Sequence, residues 1–177
     1  MKPKRYHPLL VALHWLMVPL IMFALIMGGN VLVDIPNSDP AKIDALRGHM
    51  LFGLSILALM LVRLVTRLTT SHPAPARTGK TLADRLSQPA HWLLYAFVLI
   101  MALSGVATSM MSGLGEIVFF GSSAPLPATF EGLAPRAVHG LVAKGLMLLI
   151  VVHVLAALYH QFVVKDRLLS RMWFGQR

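Results

Sequence analysis

Four long apolar runs dominate this chain, at about 9–33, 46–68, 89–111 and 137–164. A helix needs about 20 apolar residues to span the hydrocarbon core of a bilayer. Lipid offers the backbone no hydrogen-bond partners, so each run predicts a transmembrane α-helix. Together they predict an all-α, four-helix transmembrane bundle that forms a single domain. Composition agrees, since 56% of the 177 residues are hydrophobic, 13% are charged, and the mean hydropathy is +0.70. A soluble domain carries about 25% charged residues. A water-soluble globule and a disordered chain are both ruled out. The chain has no cysteine, which removes iron–sulfur clusters, thiolate zinc sites, c-type haem attachment and cysteine nucleophiles.

The net charge of +9 does not indicate a nucleic-acid partner. The basic residues are scattered among short segments between the apolar runs, with no basic stripe of interleaved aromatics. Twelve of the 16 lysines and arginines fall on one side of the predicted bundle: Lys2, Lys4, Arg5, Arg63, Arg67, Arg77, Lys80, Arg85, Lys165, Arg167, Arg171 and Arg177. Five of the seven acids, Asp34, Asp39, Asp44, Glu116 and Glu131, fall on the other. The excess of cations places both termini in the cytoplasm. The opening MKPKRYHPLLVALHWLMVPL has the basic lead of a signal peptide. Its apolar stretch exceeds the usual 7–15 residues and no A-x-A site follows, so it reads as an uncleaved first span. Pro19 is expected to bend that span. The longest connection, 112–135, contains EIVFFGSSAPLP and predicts a short helix or re-entrant turn over the outer helix ends.

The informative residues are the eight histidines. An ionisable group within a span is costly and marks function by default. His14, His49, His91, His139, His153 and His160 all fall within the spans. His7 and His72 fall in polar flanks, where solvent is expected. His139 and His153 are 14 residues apart, a rise of about 21 Å with a rotational mismatch of about 40°. They share one face of the fourth helix at two depths. Antiparallel packing brings His49 level with His139 near the outer end. It brings His14, or alternatively His91, level with His153 near the inner end.

Two histidine pairs at two depths suit two b-type haems, whose iron takes imidazole as an axial ligand. A structural zinc site would instead gather four ligands at one depth. Gly48, Gly53, Gly140 and Gly145 flank the candidate ligands and are expected to clear space for a macrocycle. Arg63 and Arg67 stand one turn apart at the inner end of the second helix, suited to haem propionates. His160 lies seven residues beyond His153, within about 20° of its face. There it is placed to pass protons to a reduced quinone.

The segments LHWL around His14, RGHMLFGLSILALMLVRLVTRL around His49, AHWLLYAFVLIMALSG, VFFG, and RAVHGLVAKGLMLLIVVHVLAALYHQFVVKDRLLSRM carry a resemblance. In order and spacing they resemble the bacterial cytochrome b-561 family of four-helix, di-haem membrane proteins. The resemblance covers nearly the whole chain and implies a multi-pass protein of the inner membrane, in contact with lipid. It implies haem ligands on the first, second and fourth helices. By position these are His14 with His153, and His49 with His139, which selects His14 over His91. Within the family the chain is most similar to the superoxide oxidase branch. That branch implies an oxidoreductase passing electrons from periplasmic superoxide to ubiquinone. It implies a quinone-site role for His160 and a basic residue beside the outer haem at Arg136. Gln161 stands where that branch carries a second histidine. Arg47, Arg136 and Lys144 together are expected to draw an anion to the outer face.

Two other classes compete. A cytochrome b subunit would relay electrons from a partner dehydrogenase or hydrogenase to quinone. A non-redox scaffold would use its histidines only to bind neighbouring helices.

Overall fold

The computed structural model describes residues 3–74 and 81–175, with 81–84 in backbone only. Lys2, Arg77, Lys80 and Arg177 lie outside the described residues. Five α-helices follow in order: α1 Pro8–Ile26, α2 Ala41–Thr69, α3 Thr81–Ser112, α4 Leu114–Phe119 and α5 Ala134–Tyr159. A π-helical turn extends α1 over Met27–Val31, and another extends α5 over His160–Val164. A 3₁₀ turn, Leu168–Met172, follows the second. Four helical stretches are long and apolar enough to cross a membrane: Pro8–Val31, Ala41–Thr69, Arg85–Ser112 and Ala134–Val164. This is a multi-pass, all-α membrane protein. Its exposed face fits that solvent: Leu61, Val65, Leu103, Leu141, Leu148 and Leu155 all point outward.

The apolar runs mark lipid thickness, whereas hydrogen bonding sets the helix ends. α2 begins five residues before its apolar run because Asp39 caps it. The Asp39 carboxylate accepts from the Ala41 N–H at 2.9 Å, the usual work of an N-terminal aspartate. α3 begins well before Pro89, which lies inside the helix, as Pro19 lies inside α1. Neither proline ends its helix. The short helix expected in the 112–135 connection is α4, entered through Gly113 at φ 67°, a left-handed turn that glycine adopts without steric cost.

α4 packs over the helix ends. Leu114 and Val118 bury against Leu32 and Leu46, and the Val118 carbonyl accepts from Arg47 Nε at 3.0 Å. Lys42 is only 6% exposed. Its Nζ donates to the Leu32 carbonyl and, at 2.7 Å, to the Ile35 carbonyl. It thereby satisfies two acceptors in the α1–α2 connection.

At the opposite end the two flanks of the chain meet. The Tyr6 N–H donates to the Arg171 carbonyl at 3.1 Å. The Trp15 indole donates to the Met172 carbonyl at 2.7 Å. Arg5 donates to the Trp173 and Phe174 carbonyls, and Arg171 to the Ala74 carbonyl. His7 caps α1 by accepting from the Leu9 N–H, and the His72 ring stands edge-on to Tyr6. Both histidines, expected in solvent, are half-buried. They are drawn in because the flanks fold over one another.

Around the bundle α1 packs on α2, α2 on α3, and α3 most extensively on α5. The backbone of α5 approaches α1 and α2 only sparsely. The central core holds Met17, Ile56, Met60, Tyr95, Val98 and Leu146. Leu146, 2% exposed, lies seven residues from both His139 and His153.

Candidate functional site

The fold brings the histidines of α5 against histidines of α1 and α2. The His49 and His139 ring centroids are 6.1 Å apart at an interplanar angle of 76°. The His14 and His153 centroids are 6.3 Å apart at 68°. The two pairs occupy opposite ends of α5 with the Leu146 layer between them. His91 stands in the second group as well, its centroid 5.5 Å from that of His153. The structure therefore gathers three rings at that depth, where the sequence had weighed His14 against His91.

Each ring has its own setting. His139 Nδ1 donates to the Met101 carbonyl of α3 at 2.9 Å, with Ser104 Oγ at 3.2 Å from the same nitrogen. That bond leaves Nε2 with its lone pair. His91 Nδ1 likewise donates to the Ser87 carbonyl at 2.6 Å. His49 Nδ1 is fully enclosed without a well-formed hydrogen bond, with the Ala24 carbonyl of α1 facing its ring. Arg63 Nη2 lies 3.4 Å from His14 Nδ1 while its Nη1 donates to the Leu10 carbonyl at 2.7 Å.

The glycines differ in what surrounds them. A Cβ added at Gly48 or Gly53 would meet nothing within 4 Å. At Gly140 it would meet Arg136 Nη1 at 3.1 Å, and at Gly145 Phe97 Cε1 at 2.5 Å. The imidazoles are instead met at Gly28 and Gly105. A Cβ there would stand 3.0 Å from His49 Cε1 and 3.1 Å from His139 Cε1, respectively. At the rings themselves the clearance comes from the facing elements. The signal lies in two glycines level with His49 and His139, Gly28 in the π-helical turn after α1 and Gly105 near the end of α3.

The cations sort themselves as well. Arg67 lies over the Trp92 and Tyr95 rings at 5.0 and 5.4 Å, and Arg63 lies 5.7 Å from the Tyr95 ring. Tyr95 Oη is enclosed there beside the two guanidinium groups. Tyr95 follows His91 by one helical turn, a position that the histidine pattern alone does not mark. At the α4 end Arg47 is engaged by Asp44 at 2.5 Å and by the Val118 carbonyl. Lys144 faces outward beside an apolar groove of about 360 Å³ lined by Phe97, Leu141, Val142, Gly145 and Leu148. Arg136, in the first turn of α5, is within electrostatic reach of both His49 and His139. Among the described residues it belongs to no ion pair. At the other end His160 Nδ1 donates to Asp166 Oδ2 at 2.7 Å.

The profile of the prokaryotic cytochrome b561 family matches residues 5–175. The chain belongs to this family. Relatives align over almost their whole length with almost the whole of this cytochrome b561. Cytochrome b562 of Cereibacter sphaeroides is 32% identical over 171 residues, 94% of each chain. The probable superoxide oxidase CybB of Yersinia pestis is 29% identical over 96% of each. Cytochrome b561 homolog 2 of Escherichia coli K12 is 27% identical over 96% of this chain and 92% of that one. Membership makes this chain an electron-transfer protein with haem b as its cofactor.

The residues present fit that group. A metal–imidazole bond of about 2 Å on either side of an iron puts two ring centroids about 6 Å apart, the spacing of both pairs. Among the described residues no group of three or more His, Asp or Glu side chains is placed to hold a metal ion. Paired imidazoles therefore suit an iron whose other ligands belong to a macrocycle. Gly28 and Gly105 keep side chains away from the outer rings, and sparse backbone packing separates α5 from α1 and α2.

Proposed function

We propose that this protein is a di-haem superoxide:ubiquinone oxidoreductase of the bacterial inner membrane, with both termini in the cytoplasm. The observation that carries this reading is the stack of two histidine pairs across one apolar core. An unpaired arginine stands at one end of the stack and a carboxylate-bound histidine beyond the other.

His49 and His139 would hold the outer haem and His14 and His153 the inner one, with the Arg63 and Arg67 guanidinium groups available to pair with carboxylates of the inner group. Haem iron, when bound, supplies the one-electron redox chemistry. The chain supplies placement and charge. Arg136 attracts superoxide toward the outer pair, an effect that weakens as salt screens it. Met17, Ile56, Met60, Tyr95, Val98 and Leu146 form the central core of the bundle. His160 delivers protons to ubiquinone at the cytoplasmic end. The similarity to a probable superoxide oxidase supports the choice of donor.

The test uses haem-loaded protein purified in detergent, given superoxide and a short-tailed ubiquinone. Superoxide loss well above the buffer rate, with quinol formed and two haems b per chain, is the expected result. A rate equal to buffer overturns the donor assignment. If a dehydrogenase or hydrogenase then co-purifies with the native protein, the chain is a relay subunit. A colourless protein made with full haem supply overturns the redox reading altogether.

A further inference from the structure

The end of the bundle carrying both flanks has a backbone feature that haem binding leaves unexplained. After the π-helical turn come Lys165, Asp166 and Arg167, and Lys165 and Arg167 have φ of 57° and 56°. Left-handed backbone is costly for any residue with a Cβ. Such strain persists only where the surroundings over-determine it. Here the reversal folds Asp166 back onto His160, and both carboxylate oxygens are engaged. Oδ2 accepts from His160 Nδ1 at 2.7 Å, and Oδ1 accepts from the Leu168 N–H at 3.0 Å. The two side chains are 16% and 22% exposed. The proton on Nδ1 fixes the tautomer and leaves Nε2 as the outward-working atom of the ring.

Cations surround the pair. Lys165 and Arg167 are exposed in the turn, Arg5 and Arg167 line the pocket next to Gln161, and Arg171 lies in the following 3₁₀ turn. Tyr159 contributes a ring edge at 6.3 Å. Among the carboxylates whose side chains are described, Asp166 alone stands at this end. It is the counter-charge that a protonated His160 meets.

We infer that Asp166 is a positioning residue for proton delivery: it holds the His160 ring by Nδ1, fixes its tautomer and makes Nε2 the atom that passes a proton to a reduced quinone oxygen. This rests on the oxidoreductase reading above. In the overall reaction two superoxide anions each lose one electron and leave as dioxygen. One quinone gains those two electrons and two protons and becomes quinol. His160 gives each proton from Nε2 and recovers one from water at the bundle end.

The test compares the haem-loaded parent with Asp166→Asn, Asp166→Ala and Asp166→Glu. Haem absorption unchanged in all three variants establishes that the fold is retained. Quinol formation with superoxide as donor is expected to fall about tenfold in kcat for Asp166→Asn and Asp166→Ala, a part of the about 10²–10⁴-fold that a placed proton donor contributes. KM should stay within about twofold of the parent, and Asp166→Glu should recover most of the loss. ¹⁵N-histidine NMR, with His160→Asn to assign the signal, should show neutral His160 protonated on Nδ1 in the parent and a mixture of tautomers in Asp166→Asn. A parent ring protonated on Nε2, or variants with the parent's kcat in an active parent, overturns this role alone. A parent that forms no quinol overturns the oxidoreductase reading and this role with it. Should Asp166→Ala fail to fold, the near-isosteric Asp166→Asn decides by itself.

Discussion

Each paired imidazole meets a different neighbour, so single substitutions should separate the two sites. His49→Ala or His139→Ala is expected to remove the outer haem and keep the inner one. His14→Ala or His153→Ala should do the reverse, while His91→Ala should retain both. Extracted haem per chain, with reduced-minus-oxidised spectra, checks this directly. A stoichiometry of one in His91→Ala would move ligation from α1 to α3, which the 5.5 Å approach of His91 to His153 makes a sharp alternative. The clearing glycines give a second prediction. Gly28→Leu and Gly105→Leu drive atoms into rings that a bare Cβ would already meet at 3.0 and 3.1 Å. Both should lower occupancy of the haem held by His49 and His139. The paired histidines were legible in the sequence because ionisable groups are rare in lipid and helical spacing gives their depth. The clearing glycines were not, because each acts on a residue that packing alone brings near.

At the scale of elements, the connections are held by polar groups that the apolar pattern does not reveal. Lys42→Met should strand the Leu32 and Ile35 carbonyls, at a cost of about 1–3 kcal/mol for each acceptor left unmet. A lower thermal midpoint, with unchanged spectra below the transition, would show it. Lys165→Gly should relieve one left-handed residue, gaining roughly 0.5–1 kcal/mol after the extra chain entropy of glycine is subtracted. The same thermal measurement reads that gain with the opposite sign. The spans themselves were readable because lipid demands long, internally bonded helices. Their ends were not. The Asp39 cap starts α2 in polar sequence, and α3 runs through Pro89 instead of starting there. The fold-back of Asp166 onto His160 was equally hidden, since nothing in the letters KDR announces two left-handed residues.

For the molecule as a whole, α5 is joined closely to α3 and only sparsely to α1 and α2. Ligand binding adds stability to whatever state binds it. Haem removal should therefore loosen α5 against α1 and α2 before it disturbs α3 against α5. Hydrogen exchange on protein expressed without haem should show faster exchange around His139 and His153 than along the α2–α3 contact. Uniform exchange across all four spans would count against this order of loosening. α5 also sets a scale for the molecule, because it supplies one ring to each pair. A helix advances about 1.5 Å and turns about 100° per residue. One residue inserted between His139 and His153 would swing one ring off the shared face and unmake a pair. Seven residues would keep the face and lengthen the separation by about 10 Å. The distance between the two pairs can thus change only in jumps of whole turns, and a lineage built on this helix inherits that distance as a fixed gauge.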